Sequence, residues 1–332
     1  MKMMKKVFVV LSVALTIALL AACGSPAASP PAGSSDGKQM KKIAFVHSLQ
    51  AWQMYQIMTG FLQETCDAQG IELAIVDANM DSNKQLQLIE TQMSSGADGI
   101  IVVTIDGPTL EDVAKRCKDN GVAFTAMFTE VENASANMYV DEYGYGYAIG
   151  QLGAEYYAKN FPGEEIEIGL LRMHDYLPGI ERGKGMRQAF VDLFPTGVVV
   201  NDQHSIDVQS AMTATEAILA GNPNTVCFLT DSDDTGAIGA YEVLKAKVAS
   251  ANQDKYCVIG ADGTMQAFGY VAENSMYRGT IALDMKAIAD TAFRLTSAAF
   301  NGEEFEPKDW VAFSPVGPDN VKDWISIYES VM

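Results

Sequence analysis

Three histidines, five cysteines and a surplus of aspartates are the residues of this 332-residue chain whose types could do chemistry. His47, His174 and His204 come from three separate segments with no i+2 or i+4 spacing, so they do not read as a metal motif. Lone histidines more often make ordinary hydrogen bonds. Cys66, Cys117, Cys227 and Cys257 match no zinc spacing and form no CxxC pair. All four lie in apolar stretches, where a free thiol behaves as a small hydrophobe. Cys227 and Cys257 could meet on neighbouring strands, and a bridge there stays open at the level of sequence. GxSxG and HExxH are absent, and residues 179–184 fall one short of the Walker spacing. Gly144, Gly146 and Gly150 give GxGxxxG instead of the dinucleotide fingerprint, which close packing of small residues explains better. The aspartates could supply a hydrolase's two carboxylates, but nothing in the sequence marks one as a raised acid. The expectation is no catalytic residue, no cofactor and no bound metal.

The elements that must position these groups follow from hydropathy. Apolar runs at 43–46, 73–76, 99–104 and 123–128 have the length of parallel strands buried on both faces. Between them Leu110, Val113, Ala114 and Cys117 recur at helical spacing, as do Leu86, Ile89 and Met93, and Ile57, Phe61, Leu62 and Cys66. Gly70, Gly96 and Gly121 follow these helices, where a left-handed cap is expected. The alternation repeats, with strands at 166–171, 198–201, 226–230 and 256–259. Helices fit at 144–159, 179–193, 208–220, 235–248 and 265–273. A strand at 278–284, a helix at 285–301, a short strand at 310–313 and a helix beginning near Pro318 complete the chain. Two such rounds predict an α/β fold of two doubly wound parallel-sheet lobes. Crossings at 141–143, 283–284 and 313–315 would make a three-segment hinge, which implies open and closed states. The expected division is 41–142 with 284–312 for the N-terminal lobe, and 143–283 with 313–332 for the C-terminal lobe.

Ligands of open parallel sheets lie beyond the carboxyl ends of the strands. Those ends carry His47 and Ser48, Asp77, Thr104 to Asp106, Phe128 and Thr129, His174 and Asp175, His204, Asp231 to Asp234, and Asp262. Facing lobes would gather them around one cleft.

The N-terminus predicts a destination. Lys2, Lys5 and Lys6 precede an uncharged apolar run of 14 residues, 7–20, too short to span a bilayer comfortably and shaped like a secretory leader. Leu20-Ala21-Ala22-Cys23 resembles a bacterial lipobox, which implies a signal peptide of residues 1–22 and a lipidated Cys23. Residues 23–40 are rich in Pro, Ala, Ser and Gly and read as a flexible tether. The expected location is the outer face of the cell membrane, lipid-anchored. Losing the leader takes 23 basic residues to 20 against 42 acidic ones, a formal charge of −22. That balance argues against nucleic acid and against electrostatic docking on anionic lipid.

Five segments, met in this order, resemble the type I periplasmic binding proteins of the ribose-binding-like sugar branch. They are Lys42-Ile43-Ala44-Phe45-Val46, Ala97-Asp98-Gly99-Ile100-Ile101-Val102, Glu181-Arg182-Gly183-Lys184-Gly185-Met186, Asp233-Asp234 with the small residues after it, and Val258-Ile259-Gly260-Ala261-Asp262-Gly263. Pro318-Asp319-Asn320-Val321 resembles the start of the final helix. The resemblance covers residues 41–332 and implies a monomer that closes on a small polar, sugar-like ligand and passes it to an ABC permease. It assigns ligand contacts to Arg182 and Asp262, with Asp233 where the family usually has asparagine. Ser48, Trp52 and Tyr55 fall in the loop that usually carries a polar residue and stacking aromatics. Phe128-Thr129 stands where sugar binders commonly show Asp-Arg, and Leu283 where many carry a polar hinge residue. His47, Asp106, His174 and Leu283 are further cleft candidates. The missing polar groups point to a less hydroxylated, modified or cationic ligand. Rival readings are a sensor subunit for a membrane kinase or chemoreceptor, and a secreted hydrolase.

Overall fold

The computed structural model describes residues 39–332; the expected leader, Cys23 and nearly all of the tether lie outside the described residues. Strands β1 (Lys42–His47), β2 (Glu72–Asp77), β3 (Gly99–Val103), β4 (Ala123–Met127) and β5 (Ala136–Tyr139) alternate with α1 (Gln53–Gln69), α2 (Ser82–Ser94) and α3 (Gly107–Asp119). The β1 and β3 side chains show why their runs are unbroken. Ile43, Phe45, Ile101 and Val103 point into one apolar cluster, while Ala44, Val46, Ile100 and Val102 point into another, with Leu110, Val113, Ala114 and Cys117. Both faces of these strands are dry, so neither position of the period-two repeat can be polar. Gly70 and Gly121 take φ of 68° and 69° where their helices stop, the conformation glycine adopts without a Cβ penalty.

After α4 (Glu142–Asn160) the scheme repeats with β6 (Ile166–Arg172), α5 (Leu177–Leu193), β7 (Gly197–His204), α6 (Val208–Gly221) and β8 (Thr225–Thr230). Next come α7 (Ile238–Lys247), β9 (Cys257–Asp262), α8 (Met265–Ala272) and β10 (Tyr277–Leu283). The chain ends with α9 (Met285–Asn301), β11 (Lys308–Trp310), β12 (Phe313–Val316) and α10 (Val321–Glu329). The first sheet has the order β11-β5-β4-β3-β1-β2 and the second β12-β10-β9-β8-β6-β7. Within each sheet the pairings are parallel, except that β12 runs antiparallel to β10. The first five strands of each sheet therefore stand in corresponding positions.

The chain passes between the sheets three times. It leaves β5 through Val140 and Asp141 into α4, which packs on β8, β9 and β10. It returns from β10 through Asp284 into α9, which packs on β3, β4 and β5. It crosses again at Val311 and Ala312. The first two crossings share one device: Asp141 and Asp284 each cap the following helix, accepting from Gly144 N and Ala287 N at 2.9 Å. The third departs from the sequence expectation. The single strand expected at 310–313 is two strands in different sheets, and 313–315 lie within β12. Pro315 has no N–H to give a ladder, and β12 sits at the sheet's edge, where that loss is tolerated. Cys227 and Cys257 are register partners on β8 and β9, and all four described cysteines are buried free thiols.

Candidate ligand cavity between the two lobes

A cavity opens where the carboxyl ends of the two sheets meet, and its walls come from both lobes and from the crossings. The first lobe contributes a ladder of rings. Trp52 at the start of α1 and Tyr55 one turn on lie 5.8 Å apart, and Tyr55 stacks on Phe128 at 6.4 Å. Val140 comes from the first crossing, Glu142 opens α4 just past it, and Leu283 ends β10 just before the second. The second lobe contributes Met173, Tyr176, Pro178, Gly179 and Arg182, then Asp231, Ser232, Asp234 and Thr235, and finally Asp262.

Arg182 is held from three sides. Its Nε donates to Glu142 Oε2 at 2.6 Å, and its Nη1 donates to the Asp231 carbonyl at 2.6 Å and to Asp262 Oδ1 at 3.2 Å. The guanidinium lies 4.3 Å over the Tyr145 ring. Tyr145 in turn donates to the Ile281 carbonyl at 2.7 Å and accepts from Asp262 N at 2.8 Å. This placement depends on α4 and α5 meeting backbone to backbone. A Cβ on Gly146 would overlap the Arg182 main chain, and one on Gly150 would lie 2.5 Å from the Met186 carbonyl. The GxGxxxG segment is thus a helix–helix seam that sets the arginine's depth.

The carboxylates beside Arg182 are crowded. Burial raises Glu142, with Arg182 opposing it. Asp231 accepts from Met173 N at 2.7 Å and from the Thr235 hydroxyl at 3.2 Å; burial pushes it up to about 6 against those bonds and Arg182. Asp234 is also pushed up to about 6, by burial and then by the charge of Asp262, while the backbone N–H of Gln53 in the opposite lobe works the other way. The lobes touch there: Gln53 Oε1 accepts from Met265 N at 2.7 Å.

Of the residues singled out in the sequence as ligand contacts or cleft candidates, Trp52, Tyr55, Phe128, Arg182, Asp262 and Leu283 line this cavity, as do Asp231, Ser232 and Asp234 from the strand-tip set. Ser48, Thr129 and Asp233 do not, and neither do His47, Asp106 and His174. Asp233 is fully buried beneath the floor. Its carboxylate accepts from Tyr277 at 2.6 Å, Thr280 at 3.0 Å, Gly263 N at 3.0 Å and Thr264 N at 2.9 Å, so nothing of it faces a ligand. A single π turn, Asp233–Ala237, aims Asp234 at the cavity instead. His47 is buried between the rings of Phe45 and Tyr55 with Nε2 3.1 Å from Thr59 Oγ1, and burial lowers it to about 4, which keeps it neutral. Ser48 is buried just past β1. Asp106 precedes α3 and takes the Thr109 hydroxyl. His174 pairs with Asp202 at 2.9 Å and takes no part in the cavity. Among the described residues no group of three or more His, Cys, Asp or Glu side chains could hold a metal ion. Sequence reasoning missed Met54, Glu142, Met173 and Tyr176 as wall residues; for Glu142 the signal was its place directly after the first crossing.

Known proteins share the sequence pattern and the fold of this chain. The ribose import binding protein RbsB of Bacillus subtilis is 23% identical over 310 residues, 92% of this chain and 96% of that protein. The ABC transporter periplasmic-binding protein YphF of Escherichia coli is 20% identical over 254 residues, 70% of this chain and 76% of its own length. Two solved structures share the fold. A periplasmic solute-binding protein from Actinobacillus succinogenes with bound D-allose superposes with a TM-score of 0.76 at 21% identity, over 85% of this chain and 99% of that one. A solute-binding protein from Bacillus halodurans with bound myo-inositol gives 0.74 at 23%, over 89% and 100%. The family model described as "Periplasmic binding protein domain" matches residues 43–304, and the chain belongs to that family.

Proposed function

We propose that this chain is the solute-binding component of an ABC importer, anchored outside the cell membrane through lipid on Cys23, and that it captures a small polar, sugar-like molecule by closure of its two lobes. The observation that carries this reading is the cavity itself: Arg182 and Asp262 from one lobe face the Trp52, Tyr55 and Phe128 rings of the other across three chain crossings. Rings pack on the apolar faces of a solute while carboxylates and guanidinium take its polar edge. Relatives that import or bind ribose, D-allose and myo-inositol support the transport assignment. Residues 42–141 with 284–311 make the first lobe and 142–283 with 312–332 the second. The ligand contacts are Trp52, Tyr55, Phe128, Glu142, Tyr176, Arg182, Asp231, Asp234 and Asp262. The protein works as a monomer and turns nothing over.

Closure shifts with a solute only as far as the solute prefers the closed state. A thermal-shift screen across pentoses, hexoses, polyols, nucleosides and amines, followed by calorimetry, tests the reading. A solute that raises the melting temperature and binds one to one supports it; a converted product in the same mixture would replace it with catalysis. Mass analysis of the mature N-terminus tests the anchor, since a diacylated Cys23 is expected and an unmodified one contradicts it.

A further inference from the structure

The charges lining the cavity do not balance. Glu142, Asp231, Asp234 and Asp262 stand against the single guanidinium of Arg182, and no lysine or histidine is among the lining residues. Arg182 is already committed to Glu142, Asp262 and the Asp231 carbonyl. Opposite this acidic side lie the rings of Trp52, Tyr55 and Phe128, with Tyr176 on the second lobe. A neutral polyol can satisfy hydrogen bonds here but leaves three surplus negative charges confined together. A cation offsets them, and aromatic faces attract it further. We propose that the solute held in this cavity carries a positive charge, as a protonated or quaternary amine, on a small body whose apolar or ring face rests on Tyr55 and Phe128. This rests on the reading that the cavity is the solute site, and it names the chemical class of that solute.

The cavity's electrostatics agree with the geometry. Burial, with the charge of Asp262 beside it, raises Asp231 and Asp234 to about 6, the behaviour of carboxylates short of a countercharge. The titratable groups in and around the cavity are Tyr55 from α1, Glu142 and Tyr145 from α4, Tyr176 and Arg182 from the α5 side, Asp233 beneath the turn, Asp262 from β9 and Tyr277 from β10. Of these only Arg182 is cationic. Binding an amine therefore releases protons near pH 6, and affinity for it weakens as pH falls through that value.

Matched pairs of probes test the inference by calorimetry: choline against its uncharged tert-butyl analogue, and D-glucosamine against D-glucose. The expected result is that the charged member of a pair binds at least about tenfold more tightly than its neutral partner. For choline, whose charge does not titrate, that preference should shrink as pH drops from about 7.5 to about 5. Asp234→Asn should narrow it too, with the melting temperature of the ligand-free protein retained. If D-glucose or the tert-butyl analogue binds as tightly as its charged partner, or neither charged probe binds, the positive charge is wrong. Solute capture survives that failure if any neutral solute binds, and falls with it if the whole solute screen is silent.

Discussion

Phe128 and Asp262 occupy corresponding places in the two lobes, at the carboxyl ends of β4 and β9, and both hold the backbone in the left-handed region, with φ of 71° and 82°. Each also lines the cavity, so the two conformations face each other across it. A bulky residue held there costs on the order of 1–3 kcal/mol and persists only where the surroundings enforce it. The cost falls at the two strand tips that meet the ligand, which ties local strain to a site held ready.

Phe128→Gly separates strain from recognition. Glycine adopts φ of 71° freely, so the relief of strain should offset much of the lost packing and keep stability within about 1–2 kcal/mol of the parent. The ring under the solute disappears, so affinity for whichever solute the screen finds should fall at least about tenfold. Chemical denaturation and calorimetry on the same sample give both numbers.

Arg182→Ala should cost about 3–5 kcal/mol of stability because it strands Glu142 and Asp262 as buried acids without a partner. Adding Glu142→Gln should restore part of that loss, since one of the stranded charges goes with it. Solute binding should stay abolished in both. Denaturant midpoints for the single and double variants check the coupling.

Asp233 makes a prediction in pH. Burial raises its carboxyl from the ordinary 3.8 to about 8, against the pull of Tyr277 and Thr264. The folded chain therefore keeps a proton that the unfolded chain surrenders above its ordinary value. The stability this contributes is complete below pH 3.8, declines across the window, and is lost as pH rises through about 8. Asparagine imitates the protonated acid, with its carbonyl toward Gly263 N and Thr264 N. Asp233→Asn should fold normally and flatten stability against pH, whereas Asp233→Ala orphans two amides and two hydroxyls and should cost about 2–4 kcal/mol. Denaturation midpoints across that pH range decide it.

Gly146→Ala should loosen the α4–α5 seam and shift Arg182, costing about 1–3 kcal/mol and weakening solute binding together. Gly269→Ala is the control. It lies inside α8 with nothing within 4 Å of the new methyl, so helix propensity alone acts and stability should rise by about 0.5–1 kcal/mol. Thermal melts of the two variants distinguish packing from propensity.

What the sequence disclosed and what it hid have a common physical cause. The β1, β3 and β4 runs were legible because both of their faces are dry, and the C-terminal tips they define do surround the cavity. β5 escaped notice because Ala136-Asn137-Met138-Tyr139 carries a buried polar residue; Asn137 is satisfied by both backbone groups of Val131, a pairing visible only after folding. The choice between Asp233 and Asp234 was beyond reach for a similar reason. Adjacent aspartates look alike in a chain, and only the π turn after β8 decides which faces inward. Glu142 was hidden by its neighbour: Asp141 explains itself as a helix cap, while the glutamate's role appears only once α5 brings Arg182 beside it.

Two lobes that shut around a guest must change the protein's dimensions, and solution X-ray scattering of the protein with and without a saturating solute tests that closure most directly. Compaction is predicted: a smaller radius of gyration with solute, and a loss of that change in Arg182→Ala. Superimposable curves for the free and fully occupied protein would contradict capture by closure.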